Sequence, residues 1–536
     1  MRSLRKRHRP NKDFTPFKDE EIYEAIKHSS NSTATGPDGI TSLHLKHLGP
    51  KGKAYLTRLF NLSVSRADIP AIWKSANVIP ILKPGKPANQ STSYRPISLL
   101  CPAIKVLERL ILPYITEALP PSESQHGFRP FRSTSTALLP IVNEIAMGFN
   151  QKKPASRTAT VALDIAKAFD SVDHVVLLEK IAGSALNPNI VRWLACWLRG
   201  RTAACIFQCA KSPQRIIHTG VPQGSVLSPA IFNFFVSDCP AVAQLTSSFA
   251  DDFTACESSP DLGTLTSNLQ TDMDRISLWA TNNQLTVAPN KSQITLFTPH
   301  THQSNHHPQV LINGTPIPLE KCPKILGLVL DTHFTFSPHI AAIAAKASKR
   351  LQIMKALAGT TWGQSKETLL LTFKTLIQPV INYAAPTWFP NAKPSSISKL
   401  QAVQNAALRI ATGCHKMSSI QHLHSESNVL PVANHLRLLC TQFLANAMRP
   451  LHPSHAVVSS PPGPRRMKET LQSKFGPALH PFLLNGVIPN ASYKKVIQTL
   501  HTDAVTSSIS SLGPNSVLGV TPPQINANER DLPRPT

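Results

Sequence analysis

Two adjacent acids, Asp251 and Asp252, stand in an otherwise uncharged run, Ser248-Phe249-Ala250-Asp251-Asp252-Phe253. The surrounding residues, Leu245 to Cys256, read as two short strands meeting at a turn. Turns favour Asp for their own reasons, so a solvated hairpin is the ordinary explanation of an isolated Asp-Asp. Two close carboxylates also repel each other, and a hard divalent cation relieves that repulsion through their oxygens. A second acid segment upstream tips the balance toward the cation. Val161 to Leu163 is an apolar strand ending on Asp164, and helix-forming composition follows from Ala166. An acid at the carboxyl end of one strand can face an acid pair on a neighbouring hairpin of the same sheet. Three such carboxylates could hold two divalent metals, one lowering the pKa of an attacking hydroxyl, the other neutralising a triphosphate and its leaving group. That is the chemistry of nucleotidyl transfer. Asp170 and Asp173 lie in the same segment, where capping or surface pairing is the expected role.

The elements that must position these acids carry a recognisable series of motifs. Thr35-Gly-Pro-Asp-Gly-Ile40 is followed by Val78-Ile-Pro-Ile-Leu-Lys83-Pro-Gly-Lys86-Pro and Ser93-Tyr-Arg95-Pro-Ile-Ser-Leu-Leu100. Gln125-His-Gly-Phe128-Arg129 precedes the Asp164 segment, and Gly220-Val-Pro-Gln223-Gly224-Ser-Val-Leu-Ser-Pro229 precedes the acid pair. Asn290-Lys291-Ser292 and Lys324-Ile-Leu-Gly327-Leu-Val-Leu-Asp331 close the series. In this order the sequence resembles the reverse transcriptases of non-LTR retrotransposons, most nearly the Jockey-like group. The resemblance thins through a helical region to about residue 450 and is faint beyond it.

The resemblance implies an α+β fold: a right-hand polymerase palm and fingers followed by a helical thumb. It implies Asp164, Asp251 and Asp252 as the three catalytic and metal-binding carboxylates, with the Ile165 backbone carbonyl completing the nucleotide-side metal. The cofactor would be two Mg²⁺ ions, with Mn²⁺ as an alternative. Phe169 falls five residues after the first acid, where such polymerases place a bulky side chain under the sugar. A ring there collides with a 2′-hydroxyl and selects deoxynucleotides; a core aromatic at helical spacing is the competing reading. Gln223 would offer an amide near the sugar, and Gly224 would let backbone approach the nucleotide and template. Lys83 and Arg95 match family positions that contact the triphosphate, the planar fork of Arg95 being suited to phosphate oxygens. Lys86 is equally placed to substitute for Lys83. Lys291 matches a lysine proposed to protonate the leaving pyrophosphate, with a plain exposed lysine as the alternative. Phe128 and Arg129 would support the template strand.

Bulk properties agree with a polyanionic partner without naming it. Lys and Arg number 55 against 30 Asp and Glu, a net charge of +25 with histidine neutral. Such an excess implies salt-sensitive affinity, as for a template-primer duplex, but a ribosomal or chromatin protein could share it. The basic start, Met1 to Pro10, suits a nuclear-import signal, a nucleic-acid-binding tail or a chance fragment end alike. No apolar core follows it, and no apolar run reaches membrane-spanning length. The nine cysteines show no paired zinc spacing and are expected as reduced thiols of an intracellular protein.

The expected organisation is a basic arm and helix over 1–34, fingers over 35–157, palm over 158–335 and a helical thumb and connection over 336–451. Residues 452–536 are expected as a Pro/Ser-rich linker and a poorly defined C-terminal segment, on the composition of Ser459-Ser-Pro-Pro-Gly-Pro-Arg-Arg466 and of the tail from Pro522. Neither an endonuclease constellation before Gly36 nor a Cys/His cluster after 450 is found, which suggests a fragment of a longer element protein or a decayed copy. The leading expectation is an RNA-directed DNA polymerase that works on an RNA template, a DNA primer or target end and dNTPs. It would act in the nucleus, with a cytoplasmic ribonucleoprotein as intermediate. The oligomeric state is open. The alternatives are a catalytically silent RNA-binding remnant and another palm polymerase, such as a group II intron maturase-like protein.

Overall fold

The computed structural model describes residues 14–510 apart from 242, 360–361, 462 and 465–466. The basic start Met1–Pro10, the tail from Pro522 and Arg465–Arg466 of the Pro/Ser-rich stretch lie outside the described residues. The strands that matter below are β1 (Ser75–Leu82), β2 (Tyr94–Leu99), β3 (Arg157–Asp164), β4 (Arg201–Phe207), β5 (Ala210–Lys211), β6 (Arg215–Ile217), β7 (Leu245–Phe249), β8 (Asp252–Ser259) and β9 (Gln293–Phe297). Helices and strands group into two compact units that interleave along the sequence. The first holds the described residues to Phe128, Asp164–Pro240 and Arg275–Ala288; the second holds Arg129–Leu163, Ala241–Asp274 and the described residues from Pro289.

The first unit is built on the sheet β2-β1-β4-β5, with β6 also paired to β4. β1 runs antiparallel to β2, pairing Ile81 with Arg95, and parallel to β4, pairing Ser75 with Thr202. Its helix Pro102–Ala118 starts with Pro at the first turn, where the missing N–H costs nothing. Ile104, Leu107, Ile111 and Ile115 form its buried stripe at helical spacing, each 1% exposed or less. The N-terminal segment is tied on by Asn61, whose amide accepts from the Phe17 N–H at 2.8 Å and donates to the Phe17 carbonyl at 2.9 Å.

The second unit carries the sheet β7-β8-β3-β9. Both central strands are buried nearly throughout, as the apolar Val161 to Leu163 run implies. One continuous apolar core joins Leu138, Val142 and Phe149 of the helix Thr134–Phe149 to Ile340, Phe373, Trp388, Leu400 and Leu436 of the long helices that follow. The helical character expected over 336–451 appears in Ser337–Leu357, Lys366–Thr372 and Pro394–Thr412, the middle one continuing through a π turn at Phe373–Ile377.

Residues 452–510 depart from the expected linker. Leu471–Phe475 and Tyr493–Ser510 are helices, and Leu471, Phe475, Leu479, Ile488, Val496 and Ile497 belong to the same core. Composition hid this, because the apolar residues are spaced among Pro, Ser and His and show a face only once a neighbouring core exists. Two asparagines clamp the entry to this segment. Asn150 donates to the Lys468 carbonyl at 2.8 Å and accepts from its N–H at 2.9 Å; Asn391 does the same to Glu469 at 2.7 and 2.9 Å. The Lys468 ammonium then donates to the carbonyls of His333 and Phe334 at 2.8 and 3.0 Å.

Candidate active site

β7 and β8 form a hairpin whose register pairs Ser248 with Phe253 and Phe249 with Asp252. The loop is therefore two residues, Ala250 and Asp251, and Asp252 opens β8. Ala250 adopts φ +56°, a left-handed conformation that costs a residue with a side chain about 1–2 kcal/mol. Such strain concentrates at functional turns. Both acids are exposed. β8 lies beside β3 in the sheet, and β3 ends on the half-buried Asp164. Among the described residues no three His, Cys, Asp or Glu side chains are gathered as a metal-binding group.

Beyond Asp164 the chain is held by the 286–288 backbone. Ala288 N–H donates to the Asp164 carbonyl at 2.9 Å, Ala166 N–H donates to the Thr286 carbonyl at 2.9 Å, and Ile165 faces Val287 across an antiparallel bridge. In that pattern the Ile165 N–H and C=O point away from 286–288, the orientation a carbonyl ligand requires. The expected helix from Ala166 is delayed. Lys167 takes φ +50°, a short 3-10 turn spans Ala168–Ser171, and the α-helix begins only at His174. The reason is a competing partner: Val221 N–H donates to Phe169 O and Gly220 N–H to Val172 O, each at 2.8 Å. Asp173 caps the His174–Ala182 helix, accepting from Val175 N and Val176 N at 2.8 and 2.9 Å, the structural role expected of it.

That pairing docks the Pro-Gln-Gly loop against the segment after Asp164. A Cβ at Gly220, which has φ +84°, would stand 2.7 Å from the Asp170 Cα. A Cβ at Gly224, φ +139°, would stand 2.3 Å from the Ser98 carbonyl oxygen, so the close approach this glycine permits is to β2. The Gln223 carbonyl accepts from Ser98 N at 2.7 Å, and its amide donates to Asp170 Oδ1 at 3.2 Å. Burial pushes the Asp170 carboxyl above the usual range, against the Gln223 amide and the Lys167 charge, which pull it down. His174 Nε2 stands 2.8 Å from the Gly220 carbonyl.

Phe169 is half-buried and stacked on Phe232, with ring centroids 4.5 Å apart and planes 18° apart; the exposed Phe128 meets it edge-on at 6.2 Å. The ring is thus braced on one face while retaining exposed surface. Arg95 is exposed on β2. Lys83 spends its ammonium on the Thr92 carbonyl at 3.1 Å, whereas Lys86 is exposed at the loop tip. Lys291 is exposed in the turn before β9. In the helix Ser337–Leu357, Lys346, Lys349 and Lys355 are exposed, while Arg350 is half-buried and donates to the Leu376 carbonyl.

Sequence reading overlooked Glu108. This carboxylate is wholly buried and binds the loop directly after Gly224, accepting from Ser225 Oγ and Val226 N, each at 2.8 Å. The signal was present: an acid lies beside Leu107 on the apolar stripe of a helix, a position where a charge is costly unless paired.

A family model described as reverse transcriptase (RNA-dependent DNA polymerase) matches residues 81–330. The chain is 32% identical over 428 residues to the probable RNA-directed DNA polymerase from transposon X-element of Drosophila melanogaster, covering 78% of this chain and 46% of that protein. Identity to the probable RNA-directed DNA polymerase from transposon BS of the same species is 29% over 427 residues, with 77% and 46% covered. For the RNA-directed DNA polymerase from mobile element jockey, again of D. melanogaster, it is 29% over 440 residues, with 79% and 47% covered. The chain spans about half the length of the curated relatives it matches. Residues 81–330 match a reverse transcriptase domain, and the chain carrying them is similar to the RNA-directed DNA polymerases of jockey and related transposons.

Proposed function

We propose that the chain is an RNA-directed DNA polymerase, extending a primer 3′-hydroxyl along an RNA template from dNTPs. The observation that carries this is the placement of acids within the reverse transcriptase domain: Asp251 in the two-residue turn, Asp252 opening β8, and Asp164 ending the neighbouring strand β3. Carboxylates and a backbone carbonyl are hard oxygen donors, the set that suits Mg²⁺ or Mn²⁺. Asp164, Asp251, Asp252 and the Ile165 carbonyl would hold two such ions. When bound, the ions supply a lowered hydroxyl pKa and charge neutralisation at the triphosphate.

The chain's own residues do the rest. Phe169, braced by Phe232, limits the space beneath the sugar and favours deoxynucleotides. Gln223 meets the same sugar from the docked loop, which Gly224 lets pack closely on β2, and Arg95, with Lys83 or Lys86, meets the phosphates. Lys291 serves as proton donor to the departing pyrophosphate. Residues 35–157 act as fingers, 158–335 as palm and 336–451 as thumb, whose exposed lysines on Ser337–Leu357 grip the duplex backbone. The primer is a chromosomal end, so the work is nuclear. No described helix is long and apolar enough to cross a membrane.

Primer extension on poly(rA)/oligo(dT) with Mg²⁺, comparing the natural chain with Asp251→Ala, tests the reading. Extension lost in the variant is expected. Equal background incorporation by two well-folded proteins would leave RNA binding alone.

A further inference from the structure

Glu108 is 0% exposed, in a helix stripe that otherwise holds only apolar residues. Its two oxygens accept three bonds and divide them by destination. Oε1 faces the core, accepting from the indole N–H of Trp197 at 2.9 Å. Oε2 faces the Pro-Gln-Gly loop, accepting from Ser225 Oγ and Val226 N. Ser225 Oγ in turn accepts from Leu227 N at 3.0 Å, so the hydroxyl links the carboxylate to the start of the Ser228–Phe235 helix. Arg201, 4% exposed and 5.0 Å from the Trp197 ring centroid, supplies the opposing charge.

A buried charge pair is a poor way to stabilise a core, because the desolvation of both ions rivals their attraction. An apolar residue would complete the stripe more cheaply. What the carboxylate adds is a fixed end for the loop. Upstream, the loop is pinned by its bonds to Phe169 and Val172; in the middle, by Ser98; downstream of Gly224, by Glu108.

We propose that Glu108 is a positioning residue for nucleotide binding: through Ser225 and Val226 it sets Gln223 and Gly224, while its bond to Trp197 only anchors the carboxylate. This rests on the polymerase reading above. The two sides of the carboxylate can be separated. Ser225→Ala removes a loop-side bond, Glu108→Gln weakens the acceptor on both sides, and Trp197→Phe removes the core-side bond alone.

The experiment measures steady-state dNTP incorporation on a primed RNA template together with amide hydrogen exchange over residues 221–227. Ser225→Ala and Glu108→Gln are expected to raise KM for dNTP about tenfold with kcat within about twofold, the size of one lost hydrogen bond to a charged group. Exchange over 223–227 should quicken in both. Trp197→Phe should lower Tm and leave KM unchanged. A merely structural carboxylate would instead lower Tm in all three and move KM in none; that result, or an equal KM rise in Trp197→Phe, overturns the proposal. If the natural chain shows no extension, the polymerase reading fails, and unchanged exchange over 223–227 in Ser225→Ala then overturns the positioning role separately.

Discussion

Two irregular segments of this protein are held in place by side chains of their neighbours, and they are held differently. In the first unit the Pro-Gln-Gly loop is fixed by an ionisable buried carboxylate, a glycine packed on a strand carbonyl and a Gln–Asp contact. In the second, the strap Lys468–Glu469 is fixed by two neutral amides, Asn150 and Asn391, each bonding a backbone N–H and C=O as a strand edge would. The amide clamp reads only backbone and accepts almost any residue in the strap. The loop clamp demands a hydroxyl at 225 and no Cβ at 224. A segment held by its identity can present particular groups to a ligand, whereas a segment held by its backbone can only be kept in place. Damage near the loop should therefore appear in catalysis, and damage at the strap in stability.

The largest test of that division is at the hairpin. Asp251→Asn should reduce incorporation on the order of 10³-fold or more, equivalent to several kcal/mol of lost transition-state stabilisation. Its melting temperature should stay within a degree or two, since the side chain is exposed. A large fall in Tm would show the turn to be structural after all.

Acid should distinguish the units next. Burial holds His339, His435 and His452 of the second unit down at about 4, against about 6.5 when unfolded. Their folded pKa values are depressed, so the neutral rings contribute stability that is complete above about pH 6.5 and is lost as pH falls toward 4. His339, 3% exposed, contributes up to about 3 kcal/mol of this. In the first unit the half-buried His174 is also held down by burial, but Asp170 and Glu108 are pushed up and so favour folding as pH falls through their raised values, opposing it. Hydrogen exchange at pH 7 and pH 5 should show the loss of protection concentrated in residues 337–500. A uniform loss would break the contrast.

Asn391→Ala should cost about 1–3 kcal/mol, because the partly buried Glu469 backbone loses both partners. KM for dNTP should not change. A KM shift there would mean that the strap, too, bears on the nucleotide.

The smallest expected effect is one of selectivity. Phe169→Val should raise ribonucleotide incorporation about tenfold relative to dNTP, about 1.4 kcal/mol of discrimination. If the variant only unstacks from Phe232 and destabilises the fold, with selectivity intact, the ring is a core aromatic and not a gate.

Much of the site was legible in the sequence for reasons of local chemistry. An Asp-Asp pair between two short apolar runs can hardly be other than a hairpin tip, and Asp164 at the end of Val161–Leu163 could only close a strand. The delayed helix after Ala166 was not legible, because its backbone bonds go to Gly220 and Val221, more than 40 positions away. Nor was the ordered segment from Leu471, whose apolar residues have no face until the core of the second unit is present.

By itself, the sequence determined which groups are available for chemistry: the three acids, the cations Lys83, Lys86 and Arg95, the ring at 169 and the turn at 222–224. Each is fixed by residue type and short-range spacing, which survive without any partner. Tertiary structure alone decided what holds those groups still. Whether Gly224 serves a ligand or the Ser98 carbonyl, and whether Glu108 is a misplaced surface acid or the anchor of a loop, depends on contacts between residues over 100 positions apart. Such contacts are set by the packing of whole elements, a property that no local stretch of sequence contains.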